Sequence, residues 1–97
     1  MSSATDFVGE LYRAANEVAK LPLPERRRLI ERALGTIADQ RETLSSQGNI
    51  APYPSAIFSE VRTLMNKLHT GPDILSSHLL LECADEIRRL DILIASE

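Results

Sequence analysis

Residues 79–94 read Leu-Leu-Leu-Glu-Cys-Ala-Asp-Glu-Ile-Arg-Arg-Leu-Asp-Ile-Leu-Ile. Leu80, Cys83, Ile87, Leu90 and Ile94 recur at spacings of three and four, which places them on one face of an α-helix. Leu79, Ala84 and Leu93 widen that face. A stripe so broad must satisfy more than one neighbour. On the other side, Asp85 with Arg88 and Arg89, and Glu86 with Arg89, have helix-neighbour spacing. Each such pair contributes about 0.2–0.5 kcal/mol. Gly71-Pro72 precedes the segment and Asp73 is placed to cap it. The pattern predicts a helix over 74–95.

Working outward, the same punctuation divides the rest of the chain. Ser3 and Asp6 have the spacing of a capping box, with Asp in the place of Glu or Gln. Phe7, Leu11, Ala14, Val18 and Leu21 then form one face of a helix over 4–21. Pro22 and Pro24 interrupt it, as either a turn or a kink. Pro24 suits the first turn of a second helix, where its missing N–H has no intrahelical partner to lose. That helix is predicted over 24–47, with Ile30, Leu34, Ile37, Arg41 and Leu44 as its seam and Gly48-Asn49 as its stop. Gly48 to Ser55 reads as a loop, because Pro52 and Pro54 disfavour helix in the residues before them. A further helix over 56–69 carries Ile57, Val61, Leu64, Met65 and Leu68 on one side. No strand pattern competes.

The fold class predicted is all-α: one helical domain, an antiparallel helical hairpin or bundle of long helices with heptad seams. The seam residues are Ile30, Leu34, Ile37, Leu44, Leu80, Ile87, Leu90 and Ile94. With 97 residues, 43% apolar and only 4% aromatic, the core must be built from Leu, Ile and Ala. A chain of this size buries roughly 60–68% of its unfolded surface. Long apolar faces on so thin a core point to completion by dimerisation or by an obligate partner.

Charge narrows the functional classes. The net charge is −3, which argues against nucleic-acid binding by the whole surface. Residues 1–48 balance seven basic against seven acidic groups, and residues 49–97 carry four basic against seven acidic. The basic groups concentrate at Arg26, Arg27, Arg28 and Arg32. These read either as a solvated face relieved by Glu25 and by Arg27–Glu31 pairing, or as a docking patch for an acidic partner. Adjacent arginines fan around roughly 300° of a helix, so three in a row do not make one tight patch without Arg32. Tyr53, held between two prolines, is a second candidate contact. Stiff neighbours reduce the entropy an aromatic loses on binding. The alternative is that it folds over an open end of the bundle.

Catalytic chemistry is sought and not found in the sequence pattern. His69 and His78 are the only histidines and Cys83 the only cysteine. No metal-ligand spacing occurs, and no glycine-rich loop could cradle a phosphate. Cys83 lies mid-seam with Glu82 and Glu86 nearby, a setting that raises a thiol pKa and disfavours nucleophilic work. His78 lacks the following Lys and Gly of a phosphorelay histidine. No catalytic residue, metal ligand or cofactor site is therefore expected, and the chain reads as a non-enzyme. A single cysteine excludes an internal disulfide. The sequence shows neither a signal-peptide pattern nor an apolar run of membrane-spanning length, so a cytoplasmic protein without a membrane role is expected.

Two stretches carry a family resemblance. One is Leu21-Pro22-Leu23-Pro24-Glu25, leading into a helix with Ile30, Ala33, Ile37, Arg41 and Leu44. The other is the last helix, from Leu79 and Glu82 to Ile87, Leu90, Leu93 and Ile94. In these, about half the chain, it resembles the TraM family of quorum-sensing antiactivators of rhizobial and agrobacterial conjugative plasmids. The resemblance implies a homodimer of long antiparallel helices. It also implies binding to a LuxR-type transcription activator, which is thereby kept from its promoter DNA, so that conjugal transfer genes are repressed. The partner is then a protein, with no direct nucleic-acid contact. The alternatives from the residues themselves are a small helical DNA-binding regulator using the Arg26–Arg32 helix, or a structural subunit of a larger assembly.

Overall fold

A computed structural model describes residues 3–48 and 73–95. These form three α-helices: α1 (Ser3–Asn16), α2 (Leu23–Ser46) and α3 (Asp73–Ala95), with one 3-10 turn at Val18–Lys20. The helix expected over 56–69 and Tyr53 lie outside the described residues. No helix of the described residues is long and apolar enough to cross a membrane.

The Pro22–Pro24 break is a full turn. Pro22 drives the residue before it out of the α region, and Leu21 accordingly has φ −100 and ψ 120. The α-helix has already ended at Asn16, five residues short of the end expected from periodicity alone. The chain tightens through the 3-10 turn, and Leu21 N–H donates to the Val18 carbonyl at 3.1 Å. Pro22 then caps α2, its carbonyl accepting from the N–H groups of Glu25 at 3.0 Å and Arg26 at 3.1 Å. At the other end, Gly48 takes φ 81, a conformation glycine adopts without a Cβ penalty. Its N–H and that of Gln47 return to carbonyls of the last helical turn.

Cross-helix bonds give the direction of each helix. Arg26 bonds to Asp73 and Ser76, Gln40 to Ile87 and Arg41 to Glu86, at sequence separations that stay between 45 and 50. A constant separation means that α2 and α3 run parallel. Between α1 and α3 the order reverses: Ala15 meets Ser77 and Tyr12 meets Asp85. Arg32 reaches back to Glu10 at 3.3 Å, and its guanidinium lies 4.2 Å from the centre of the Phe7 ring. α1 therefore runs antiparallel to the other two helices, whereas α2 and α3 run parallel to each other, so the antiparallel arrangement expected from the sequence holds for α1 and is corrected for the α2–α3 pair.

Both α1 and α2 pack on α3. This is why the α3 face is so broad. Leu79, Leu80, Cys83, Ala84, Ile87 and Leu90 are all buried, and Leu80, Ala84, Ile87 and Leu90 have no exposed surface at all. Burying each such Leu or Ile contributes about 1.5–3 kcal/mol. On α1 the buried set is Phe7, Val8, Leu11 and Ala15, with Ala14 and Val18 at the margin. On α2 it is Arg26, Ile30, Ala33, Ile37, Gln40 and Leu44. Ile30, Ile37 and Leu44 are core residues as expected. Leu34 and Arg41 are only half-buried, because the packed face turns toward Ala33 and Gln40. A small side chain at Ala33 admits the neighbouring helix, and Gln40 offsets its burial by donating Nε2–H to the Ile87 carbonyl at 3.0 Å. Ile94, expected in the α3 seam, is half-buried at the end of the helix.

Candidate interaction surface

The four arginines singled out in the sequence separate into two kinds. Arg26 is 6% exposed and faces inward. Its Nε–H donates to the Leu21 carbonyl at 2.7 Å, and its Nη1 donates to Asp73 Oδ1 at 2.9 Å and to Ser76 Oγ at 3.3 Å. It ties the proline turn, α2 and the first turn of α3 together. Hydrogen bonds to a charged group contribute about 1.5–3 kcal/mol. As a partner-binding residue Arg26 is therefore a correction: burial withholds it from any partner. The Asp73 carboxylate, expected to cap its own helix, receives this arginine.

Arg27, Arg28 and Arg32 remain on the surface. Arg27 donates to Glu31 at 3.1 Å, Arg28 to Glu25 at 2.8 Å and Arg32 to Glu10 at 3.3 Å. Each cation thus has a carboxylate from its own chain beside it. Exposed pairs of this kind contribute about 0–1 kcal/mol, so they exchange partners readily. They do not form a field of unpaired positive charge of the sort that neutralises phosphates.

A second polar group was not legible in the sequence. Glu86 is buried between α2 and α3. Its Oε2 accepts from Arg41 Nη2 at 2.9 Å, and its Oε1 accepts from Arg89 Nη2. Gln40 lies one residue away on α2, its Nε2–H on the Ile87 carbonyl and its buried Oε1 without a partner among the described residues. The i,i+3 spacing of Glu86 and Arg89 announced a surface pair. Nothing local announced that Arg41, the polar break in the α2 seam, would cross to the same carboxylate. A buried ion pair returns little net stability once desolvation is counted, but it penalises any register that separates the partners.

Cys83 lies in the core. Burial pushes its thiol up to about 12, with Glu82 and Glu86 adding to the shift. His78 is on the surface, 4.0 Å from Glu82.

The remaining feature is the outer side of α3. Ile74, Leu81, Ile92 and Leu93 are exposed there, at 74%, 37%, 59% and 37%. Beside Ile92 a groove of about 290 Å³ opens between α1 and α3, lined by Thr5, Val8, Tyr12, Arg88, Asp91 and Ile92. The Tyr12 hydroxyl crosses to donate to Asp85 Oδ1 at 2.6 Å. That bond to a carboxylate raises the Tyr12 pKa above its usual value, with burial adding to the effect and Arg88 opposing it. Of the pairings expected here, that of Glu86 with Arg89 is present, whereas Asp85 takes the Tyr12 hydroxyl in place of Arg88 or Arg89. The surface thus combines aliphatic side chains with charges of both signs along one helix, and it suits another helix better than a small molecule. No family model, no curated protein and no solved structure matches the chain.

Proposed function

We propose that the chain is a helical protein-interaction module that acts as an antiactivator. It binds a LuxR-type transcription activator stoichiometrically, keeps it from its promoter and has no substrate of its own. The observation that carries the interaction reading is the outer side of α3, where Ile74, Leu81 and Ile92 stand in solvent along a helix whose other sides are already packed. Exposed apolar patches rimmed by polar residues mark protein–protein interaction sites. The partner class rests on the resemblance over residues 21–44 and 79–94. An acidic surplus in residues 49–97 favours encounter with a basic DNA-binding domain. At physiological salt that attraction reaches about 8 Å, so it steers the encounter more than it holds the complex.

The competing DNA-binding reading relied on Arg26, Arg27, Arg28 and Arg32. With Arg26 buried and the other three beside carboxylates, little support remains for it. The test is a promoter mobility-shift titration with a purified LuxR-type activator. Added protein is expected to abolish the activator–DNA band at about one equivalent, without shifting the DNA itself. An unchanged activator band at tenfold excess sinks the reading, and a direct shift of the DNA favours the regulator.

A further inference from the structure

The buried polar groups of the molecule are unevenly placed. Among the described residues, the buried polar and charged side chains are those of Arg26, Gln40, Ser76 and Glu86. All four bond across the contact between α2 and α3: Arg26 to Asp73 and Ser76, Gln40 to the Ile87 carbonyl, and Glu86 with Arg41. The side chains that α1 buries, Phe7, Val8, Leu11 and Ala15, are all apolar. Its polar bonds with α3, Tyr12 to Asp85 and Ser77 to the Ala15 carbonyl, lie outside that buried set.

Length sharpens the contrast. α1 buries four apolar side chains with 14 residues. α2 also buries four, Ile30, Ala33, Ile37 and Leu44, but with 24 residues. Apolar burial is what holds a helix to its neighbours, whereas a buried polar pair regains little beyond the water it gave up. Gln40 regains less still, because its buried Oε1 has no partner among the described residues. Exposed Gly35, in the middle of α2, lowers the preference of that helix for its own conformation.

We propose that α2 is a detachable arm. It leaves α3 as a unit, hinged at the Leu21–Pro22 turn, while α1 and α3 stay packed. The polar bonds form a latch: they fix the register of the closed state and are the bonds that water replaces most readily when it opens. Release uncovers a second apolar strip, distinct from the outer side of α3. Ser76, Cys83 and Leu90 recur every seven residues, and Ile87 follows Cys83 by one turn, so these lie on the side of α3 that meets α2. The Cys83 thiol is therefore a reporter already in place. The proposal concerns the chain alone and does not depend on the antiactivator reading.

The test is hydrogen exchange of the full chain, resolved by peptide, in urea below the unfolding transition. Amides of residues 23–46 are expected to exchange roughly tenfold or more faster than those in the central turns of α1 and α3, and with a weaker dependence on urea, because opening one helix exposes less surface than global unfolding. Iodoacetamide labelling of Cys83 should share that weaker dependence. Gln40→Leu removes the unpaired oxygen, and the Ile87 carbonyl keeps its partner within α3. The variant should slow both α2 exchange and Cys83 labelling about tenfold. Should Gln40→Leu fail to fold, Gln40→Met, unbranched and of similar length, takes its place. A polar layer that only fixes register would leave α2 exchanging in step with α3 at one urea dependence, and that result overturns the proposal. So do earlier opening of α1, Cys83 labelling that follows global unfolding, and a folded Gln40 variant that opens as fast as the wild type or faster.

Discussion

Two sides of α3 carry aliphatic residues at helical spacing, and their fates are opposite. On the inner side Leu80, Cys83, Ile87 and Leu90 are 0–1% exposed, covered by α1 and α2. On the outer side Ile74, Leu81 and Ile92 remain in solvent at 37–74%. The inner side has an unbroken apolar run and admits charge only as Glu86, which two arginines neutralise. The outer side alternates aliphatic with Asp85, Arg88 and His78, none of which must give up water in the isolated chain. The comparison teaches that periodicity locates faces, and that the tolerance of a face for unpaired charge separates those packed by the chain itself from those left for something else.

The sharpest way to break the comparison is Ile87→Asp. An unpaired carboxylate at a position with no exposed surface is expected to abolish the fold, read as loss of the helical signal by circular dichroism. Glu86→Ala comes next. It strands Arg41 beside a vacated carboxylate site and should lower unfolding stability by about 3 kcal/mol in urea titration. A loss under about 0.5 kcal/mol would mean that Glu86 is solvated after all. On the same side, native Cys83 should resist alkylation at pH 8 and react quickly in urea, because its thiol is pushed up to about 12 and is covered. Rapid native alkylation would show that α1 and α2 do not cover this face.

The outer side should respond far less. Ile92→Ser is expected to leave helicity unchanged, with effects confined to association. The smallest effect concerns Tyr12. Its raised pKa means that the folded chain favours the protonated phenol, so this contribution is fully present below pH about 10, the ordinary tyrosine value, and is lost as pH rises through the folded value. In a Tyr53→Phe background, ultraviolet titration should show Tyr12 ionising later in the folded chain than in urea. Asp85→Asn should move the folded value back toward the ordinary one.

Much of the architecture was legible in the residues. Broad apolar coverage of α3 announced more than one neighbour, and α1 and α2 both pack on it. Pro22 and Pro24 announced a boundary, and a proline's effect on the residue before it is local, so its position could be read directly. The end of α1 could not, because Val18 and Leu21 keep the helical spacing through a segment that the approaching proline turns into 3-10 and extended backbone. The α2 face was misread for a related reason. Leu34 is a better apolar residue than Ala33, but the helix rotates toward the smaller side chain because that permits closer approach. Arg26 illustrates the same limit at the candidate site. Three successive arginines look alike in a sequence, and only the first has the Leu21 carbonyl, Asp73 and Ser76 within reach.

The sequence by itself determined that this chain is helical, where its proline turn and last helix fall, and that Cys83 belongs to a core. Those properties depend on periodicity, on backbone restriction and on neighbours within one turn, which are all short-range. Only the tertiary structure decided that α2 runs parallel to α3 and that Glu86 sits between Arg41 and Arg89. It alone also decided that Arg26 is withheld from the surface and that, among the described residues, no helix packs on the outer stripe of α3. These depend on which helices meet and at what rotation, and that is set by the summed packing of residues distant in sequence.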